Sequence, residues 1–202
     1  MSLEATSGAA GRTIHDPTTG EAITFLETAD ESGGDRVVMR LTLAPGGVVQ
    51  RHAHPAEETF ECLEGQLQFH LAGRSIELSP GSTVTARPGT VHGFRNVSRV
   101  PTTLRIVATP GAEVEYGLRV KVAMFQDRSS TSATWSKDLL LRAVLLHRSE
   151  VYLPPLPVWL YRPLIAALAA LGRWSGREQL LLARYPDYAR LLDALRRRAH
   201  GT

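Results

Sequence analysis

A single cysteine, Cys62, stands among 202 residues, so no intrachain disulfide can form and stability must come from a packed core. That fits a reducing compartment, and the expected location is the cytoplasm. Met1 to Gly11 hold neither a basic stretch nor an apolar run of the secretory kind and read as a flexible tail. No apolar segment reaches the about 20 residues that a bilayer span needs. The one candidate is broken by Pro154, Pro155, Pro157, Arg162, Pro163 and Arg173. A peripheral membrane contact stays open, because Trp159, Tyr161 and Trp174 flank an apolar helix as interfacial aromatics do. An excess of one charge is also missing. Lys and Arg number 23 against 20 Asp and Glu, a net charge of +3, which argues against a nucleic-acid partner. The run Arg196, Arg197 and Arg198 reads as a solvated helix end whose charge suits the helix dipole. No basic recognition helix of the helix-turn-helix kind precedes the strands described next.

What the chain does have is a series of short alternating segments. Glu21 to Thr28, Asp35 to Leu43, Gln66 to Leu71, Ser75 to Leu78, Thr83 to Ala86 and Thr103 to Ala108 read as strands between Gly/Pro turns. In the second of these, Val37, Met39, Leu41 and Leu43 share one face. Glu113 to Met124 reads as a last strand, with Val114, Tyr116, Leu118, Val120 and Val122 opposite Glu115, Arg119 and Lys121. Many short strands at regular spacing indicate a sandwich or a barrel. After Phe125 the composition changes. Residues 127–136 form a polar Ser/Thr-rich linker, and helices follow. They are expected at Lys137 to Leu146, from Pro163 to Leu171, at Gly176 to Tyr185, and at Tyr188 to Arg198 behind an Asp187 N-cap. The expected division is thus a tail at 1–20, a β-sandwich or β-barrel at 21–126, a linker at 127–136 and a helical subdomain at 137–202.

The stretch with chemistry in it runs from Gly46 to Gly65. Side chains two apart on a strand share a face, so His52 and His54 project together, with Glu58 close behind. Two imidazoles and a carboxylate suit a borderline divalent ion. His92 is a further candidate, because the turn at Pro88 and Gly89 can return the chain to the same place. Strand parity also sends Gln50, Phe60, Cys62 and Phe94 toward the interior as pocket residues, and turns Glu57 to solvent.

At these residues the sequence resembles the cupin superfamily. Gly46-x5-His52-x-His54-x3-Glu58-x6-Gly65 matches the first cupin motif at every fixed position. Gly81-x5-Arg87-x-Gly89-x2-His92-x3-Asn96 matches the second except at Arg87, where the family usually has proline; here Pro88 follows at once. The resemblance covers about residues 21 to 126 and resembles the single-domain, quercetinase-like cupins. It implies a jelly-roll β-barrel, one divalent transition metal (Fe, Mn, Ni, Co, Cu or Zn) on His52, His54, Glu58 and His92, and pairing of two copies as a homodimer. It also implies Glu58 as a catalytic base on a small organic substrate, most simply in a dioxygenase reaction. The same ligand set serves isomerases, cyclases, decarboxylases and lyases in this superfamily, and other cupin barrels bind small molecules without catalysis.

Overall fold

The structure is a computed structural model that describes residues 11–16, 19–126 and 138–200. The expected tail at Met1–Ala10 and the linker at 127–136 lie outside the described residues. Ten strands form two antiparallel sheets. They are β1 (Thr13–Asp16), β2 (Glu21–Glu27), β3 (Val37–Leu43), β4 (Val48–His52), β5 (Glu57–Glu64), β6 (Leu67–Leu71), β7 (Arg74–Leu78), β8 (Thr83–Ala86), β9 (His92–Asn96) and β10 (Thr102–Thr109). One sheet has the order β1-β2-β3-β10-β5-β8 and the other the order β4-β9-β6-β7. Non-sequential neighbours such as β3-β10-β5 and β4-β9-β6 give the jelly-roll path. The strands alternate because each sheet turns one face inward. Phe25, Met39, Leu41, Phe60, Cys62 and Ile106 from the larger sheet meet Leu67, Phe69, Leu78 and Phe94 from the smaller one in a single core.

Two sequence expectations fail at the edges of this barrel. β1 lies within the segment read as a tail, and its register on β2 pairs Ile14 with Ile23 and Asp16 with Glu21. Its four residues are too few to show a period. The second failure is larger. Glu113 to Met124 is not a strand but lies inside the helix α1 (Gly111–Gln126). The even-numbered apolar residues looked like one face of a strand. On the helix they divide between two cores: Val114 and Leu118 pack on the barrel, while Tyr116, Val120 and Met124 face the other helices. A helix buried on two sides carries apolar residues at both periods, so alternation alone misleads. The barrel strands therefore end at Thr109, and α1 forms the wall shared by barrel and helices.

The remaining helices are α2 (Leu139–Arg148), α3 (Val158–Trp174), α4 (Arg177–Arg184) and α5 (Pro186–His200). Asp138 caps α2 by accepting a hydrogen bond from the Leu141 N–H at 2.9 Å. α3 starts five residues before Pro163, which sits inside it, and runs past the expected end at Leu171 through Gly172 to Trp174. α5 begins on Pro186, so Asp187 stands in its first turn and does not cap it. Tyr116, Val144, Ala169, Leu181, Tyr188 and Leu191 make a second core among the five helices. Polar contacts fasten it to the barrel side. Buried Glu115 accepts from the Ala29 N–H at 2.6 Å and from Arg119 Nε at 2.8 Å. The Tyr116 hydroxyl donates to Asp30 at 2.6 Å, and Arg190 of α5 pairs with the same carboxylate.

Candidate metal centre

His52, His54, Glu58 and His92 converge at one end of the barrel. One ligand atom from each lies within 4.8 Å of every other. The imidazole centroids are 4.5 Å apart for His52 and His92, 5.1 Å for His54 and His92, and 5.3 Å for His52 and His54. Each side chain is placed by a different local device. Glu58 is the second residue of β5, with Ala86 on one neighbouring strand and Ala108 on the other. These two small side chains leave space for the carboxylate. His92 opens β9 opposite His52 of β4. His54 follows β4, where its carbonyl accepts the Gly89 N–H at 2.8 Å. Gly89 has φ +75°, and the Thr90 N–H bonds the Arg87 carbonyl at 3.0 Å. The turn thus keeps its Pro-Gly chemistry although Arg87 departs from the family pattern, and it ties the second motif to the first.

Between Val49, which pairs with Phe94, and His52, which pairs with His92, β4 has one residue more than β9. This bulge breaks strand parity. Gln50 is exposed, contrary to its expected place in the pocket. Its backbone matters instead. The Gln50 carbonyl accepts from His52 Nδ1 at 2.8 Å, and the Thr90 carbonyl accepts from His92 Nδ1 at 2.9 Å. Both rings therefore carry the proton on Nδ1 and turn Nε2 toward the cluster, the tautomer that metal-binding histidines use. Sequence patterns cannot report these carbonyls, because every residue has one.

The electrostatics follow from crowding. Glu58 Oε2 accepts from His54 Nε2 at 3.2 Å and from His92 Nε2 at 3.0 Å. Burial pushes the Glu58 carboxyl up, but the two hydrogen bonds and the charge of the imidazoles outweigh it and hold the group well below the usual carboxylate range. Burial pushes His92 down, yet the Glu58 carboxylate and the Thr90 carbonyl more than offset it, so His92 is raised. Both its nitrogens face acceptors, which suits the imidazolium. His52 is pushed down to about 4 by burial and by the neighbouring His92 and His54. Nδ1 of His54 is buried with no hydrogen-bond partner among the described residues, so this ring retains unused bonding capacity. Three imidazoles and an ionised carboxylate are a donor set for a borderline divalent cation, and the residues present fit such an ion.

Of the other expected pocket residues, Phe60 borders the cluster, its ring 5.7 Å from that of His92. Phe94 lies deeper, 5.8 Å from Phe60 and stacked at 5.7 Å on Phe69. Cys62 is fully buried in the barrel core, about 13 Å along β5 from Glu58. Parity gave its face correctly, but depth along the strand takes it away from the site. Glu57 is exposed, as its parity requires.

One contributor had no sequence signal. Ala53, the residue between the two histidines, forms an antiparallel bridge with Tyr152, which lies beyond α2. The helical part of the chain thus reaches the metal-candidate segment directly.

The family model described as Cupin domain matches residues 39–108. These residues of the barrel are a cupin domain. No curated protein matches the sequence. Among solved structures, an RmlC-like cupin from Shewanella frigidimarina is similar at 18% identity, with 54% of this chain and 92% of that chain covered and a TM-score of 0.45. A predicted oxalate decarboxylase from Thermotoga maritima is 22% identical over 44% of this chain and 79% of that chain, with a TM-score of 0.42. A sugar phosphate isomerase of the cupin superfamily from Silicibacter pomeroyi is 26% identical over 45% of this chain and 59% of that chain, with a TM-score of 0.40.

Proposed function

We propose that this protein is a metal-dependent cupin enzyme acting on a small organic molecule, with His52, His54, Glu58 and His92 holding one divalent ion. The observation that carries the reading is the convergence of these four donors within 4.8 Å, with two of the rings pinned through Nδ1 by backbone carbonyls. A bound ion of this kind would supply Lewis acidity and open coordination positions for a substrate or dioxygen. The chain's own residues do the rest. Glu58, kept ionised between two imidazoles that lie 3.2 and 3.0 Å from its Oε2, can accept a proton from a substrate hydroxyl and hold it. Phe60 gives the site an apolar wall that suits an aromatic or otherwise hydrophobic substrate. Within this class we favour oxidation of a hydroxylated substrate by dioxygen.

The test is oxygen uptake by iron- and nickel-loaded protein offered aromatic hydroxyl compounds, run beside a His52→Ala, His54→Ala double variant whose metal content is measured. Uptake that needs both substrate and the histidines is the expected result. Metal-dependent conversion of a substrate library without oxygen uptake would replace the dioxygenase reading with an isomerase, cyclase or lyase. Equal and negligible metal in both proteins would sink the metalloenzyme reading and leave a ligand-binding barrel.

A further inference from the structure

The exposed side of α3 is the least expected surface of the molecule. The helix buries Tyr161, Ala169 and Gly172 against its neighbours and turns Trp159, Leu160, Leu164, Leu171 and Trp174 to solvent. At about 100° per residue these five fall on one stripe. The two tryptophans close its ends about 22 Å apart and are 77% and 85% exposed, more than any other large apolar residue among those described. Tyr161, grouped with them in the sequence, belongs to the opposite face, where its hydroxyl bonds the Val151 carbonyl at 2.9 Å.

Charge identifies what fits this stripe. From Val151 to Arg177 the chain has no Asp or Glu. Arg162 is exposed on one edge of the stripe, and Arg173, about three turns on, is half-buried with its Nη1 enclosed against the protein. Neither has a carboxylate partner among the described residues. A second copy related by a two-fold axis would set this acid-free face against itself and offer exposed Arg162 no counter-charge. An anionic lipid surface supplies that charge beside exposed Arg162 and an apolar layer under the stripe, with indoles at the headgroup level at both ends. The helix is 17 residues long, short of a span, and none of the described helices is long and apolar enough to cross a membrane.

We propose that α3 is an interfacial helix that docks the protein on anionic membrane surfaces, lying in the plane of the bilayer with Trp159 and Trp174 inserted. Docking this helix leaves the His52–His92 cluster within the barrel and brings the enzyme to molecules held in or near a lipid phase.

The experiment is co-sedimentation of the full-length protein with vesicles of phosphatidylcholine alone and of phosphatidylcholine mixed equally with phosphatidylglycerol. Tryptophan emission and analytical ultracentrifugation are read in parallel. The expected result is sedimentation with the mixed vesicles, a blue shift of the emission, and partitioning at least about tenfold weaker in a Trp159→Ala, Trp174→Ala variant. Arg162→Glu should weaken binding to the mixed vesicles alone. Both tryptophans are exposed, so the variants should keep their circular dichroism and melting temperature. The proposal is overturned if the wild-type protein stays in the supernatant with both vesicle types, or if the double variant binds as well as the wild type. It is likewise overturned if the tryptophan substitutions convert a vesicle-indifferent dimer to a monomer, which would make the stripe a seam between copies.

Discussion

Ala53 and Tyr152 exchange two backbone hydrogen bonds, the Ala53 N–H to the Tyr152 carbonyl at 2.9 Å and the Tyr152 N–H to the Ala53 carbonyl at 2.8 Å. This one bridge holds the loop between His52 and His54 against the segment that leads from α2 to α3. It makes the helical part of the chain a brace of the histidine cluster. Tyr152→Pro removes the N–H and leaves the carbonyl of buried Ala53 without its partner. The expected cost is about 1–3 kcal/mol in denaturant unfolding, with divalent-metal affinity lowered about tenfold through the displaced histidines. Unchanged metal affinity in a destabilised but folded variant would show that the bridge serves stability only.

Glu58 sets the protonation of His92. Burial lowers this histidine, and the neighbouring carboxylate is the larger of the two groups that raise it, ahead of the Thr90 carbonyl. Glu58→Gln keeps the shape and removes the charge, so in metal-free protein the His92 pKa should fall from its raised position. An NMR titration of the imidazole resonances reads this directly. The same variant should retain less metal by elemental analysis, since a neutral amide is a poorer ligand than a carboxylate.

Gly93 gives β9 its close approach to the bulge in β4. A methyl group there would lie 2.9 Å from Arg51 Cα and from the Val49 carbonyl oxygen. These are backbone atoms that cannot swing aside. Gly93→Ala should therefore cost about 1–3 kcal/mol in thermal or denaturant unfolding. Because Gly93 follows His92 directly, metal retention should fall with it. A variant as stable as the parent would mean that the bulge relaxes freely.

Cys62 should be inert in the native protein. Its thiol is fully buried and burial pushes its pKa up, so little thiolate is available. A disulfide reagent should modify it on the order of a hundredfold more slowly than an exposed thiol, and at the full rate in denaturant. Rapid native-state labelling would place Cys62 in an accessible pocket after all.

Tyr116 ties α1 to Asp30 and gives the fold an alkaline limit. Burial, and then the hydrogen bond to Asp30, push its hydroxyl from 10.0 up to about 12. An acid whose pKa is raised in the folded state favours the folded state while it is neutral. Its contribution is therefore complete below pH 10 and lost as the pH rises toward 12. Tyr116→Phe should lower stability by about 1 kcal/mol at neutral pH, and the gap from the parent should close across that alkaline window. A gap independent of pH would assign the effect to packing.

The sequence by itself determined the barrel and its donors. Alternation in Val37–Leu43, Leu67–Leu71 and Thr102–Thr109 is a direct image of sheets with one buried face, so those strands were legible. His52, His54, Glu58 and His92 were legible because motif spacing fixes which positions share a face and where turns return the chain. Tertiary structure alone decided the rest. The bulge that turns Gln50 outward depends on how β4 meets β9, a relation between strands that neither contains. α1 was misread because its period was overwritten by burial against two cores at once. The Ala53–Tyr152 bridge joins residues 99 apart through main-chain atoms, which every residue type carries alike. Side-chain patterns encode which surfaces are buried; which backbones meet is settled only when the whole chain packs.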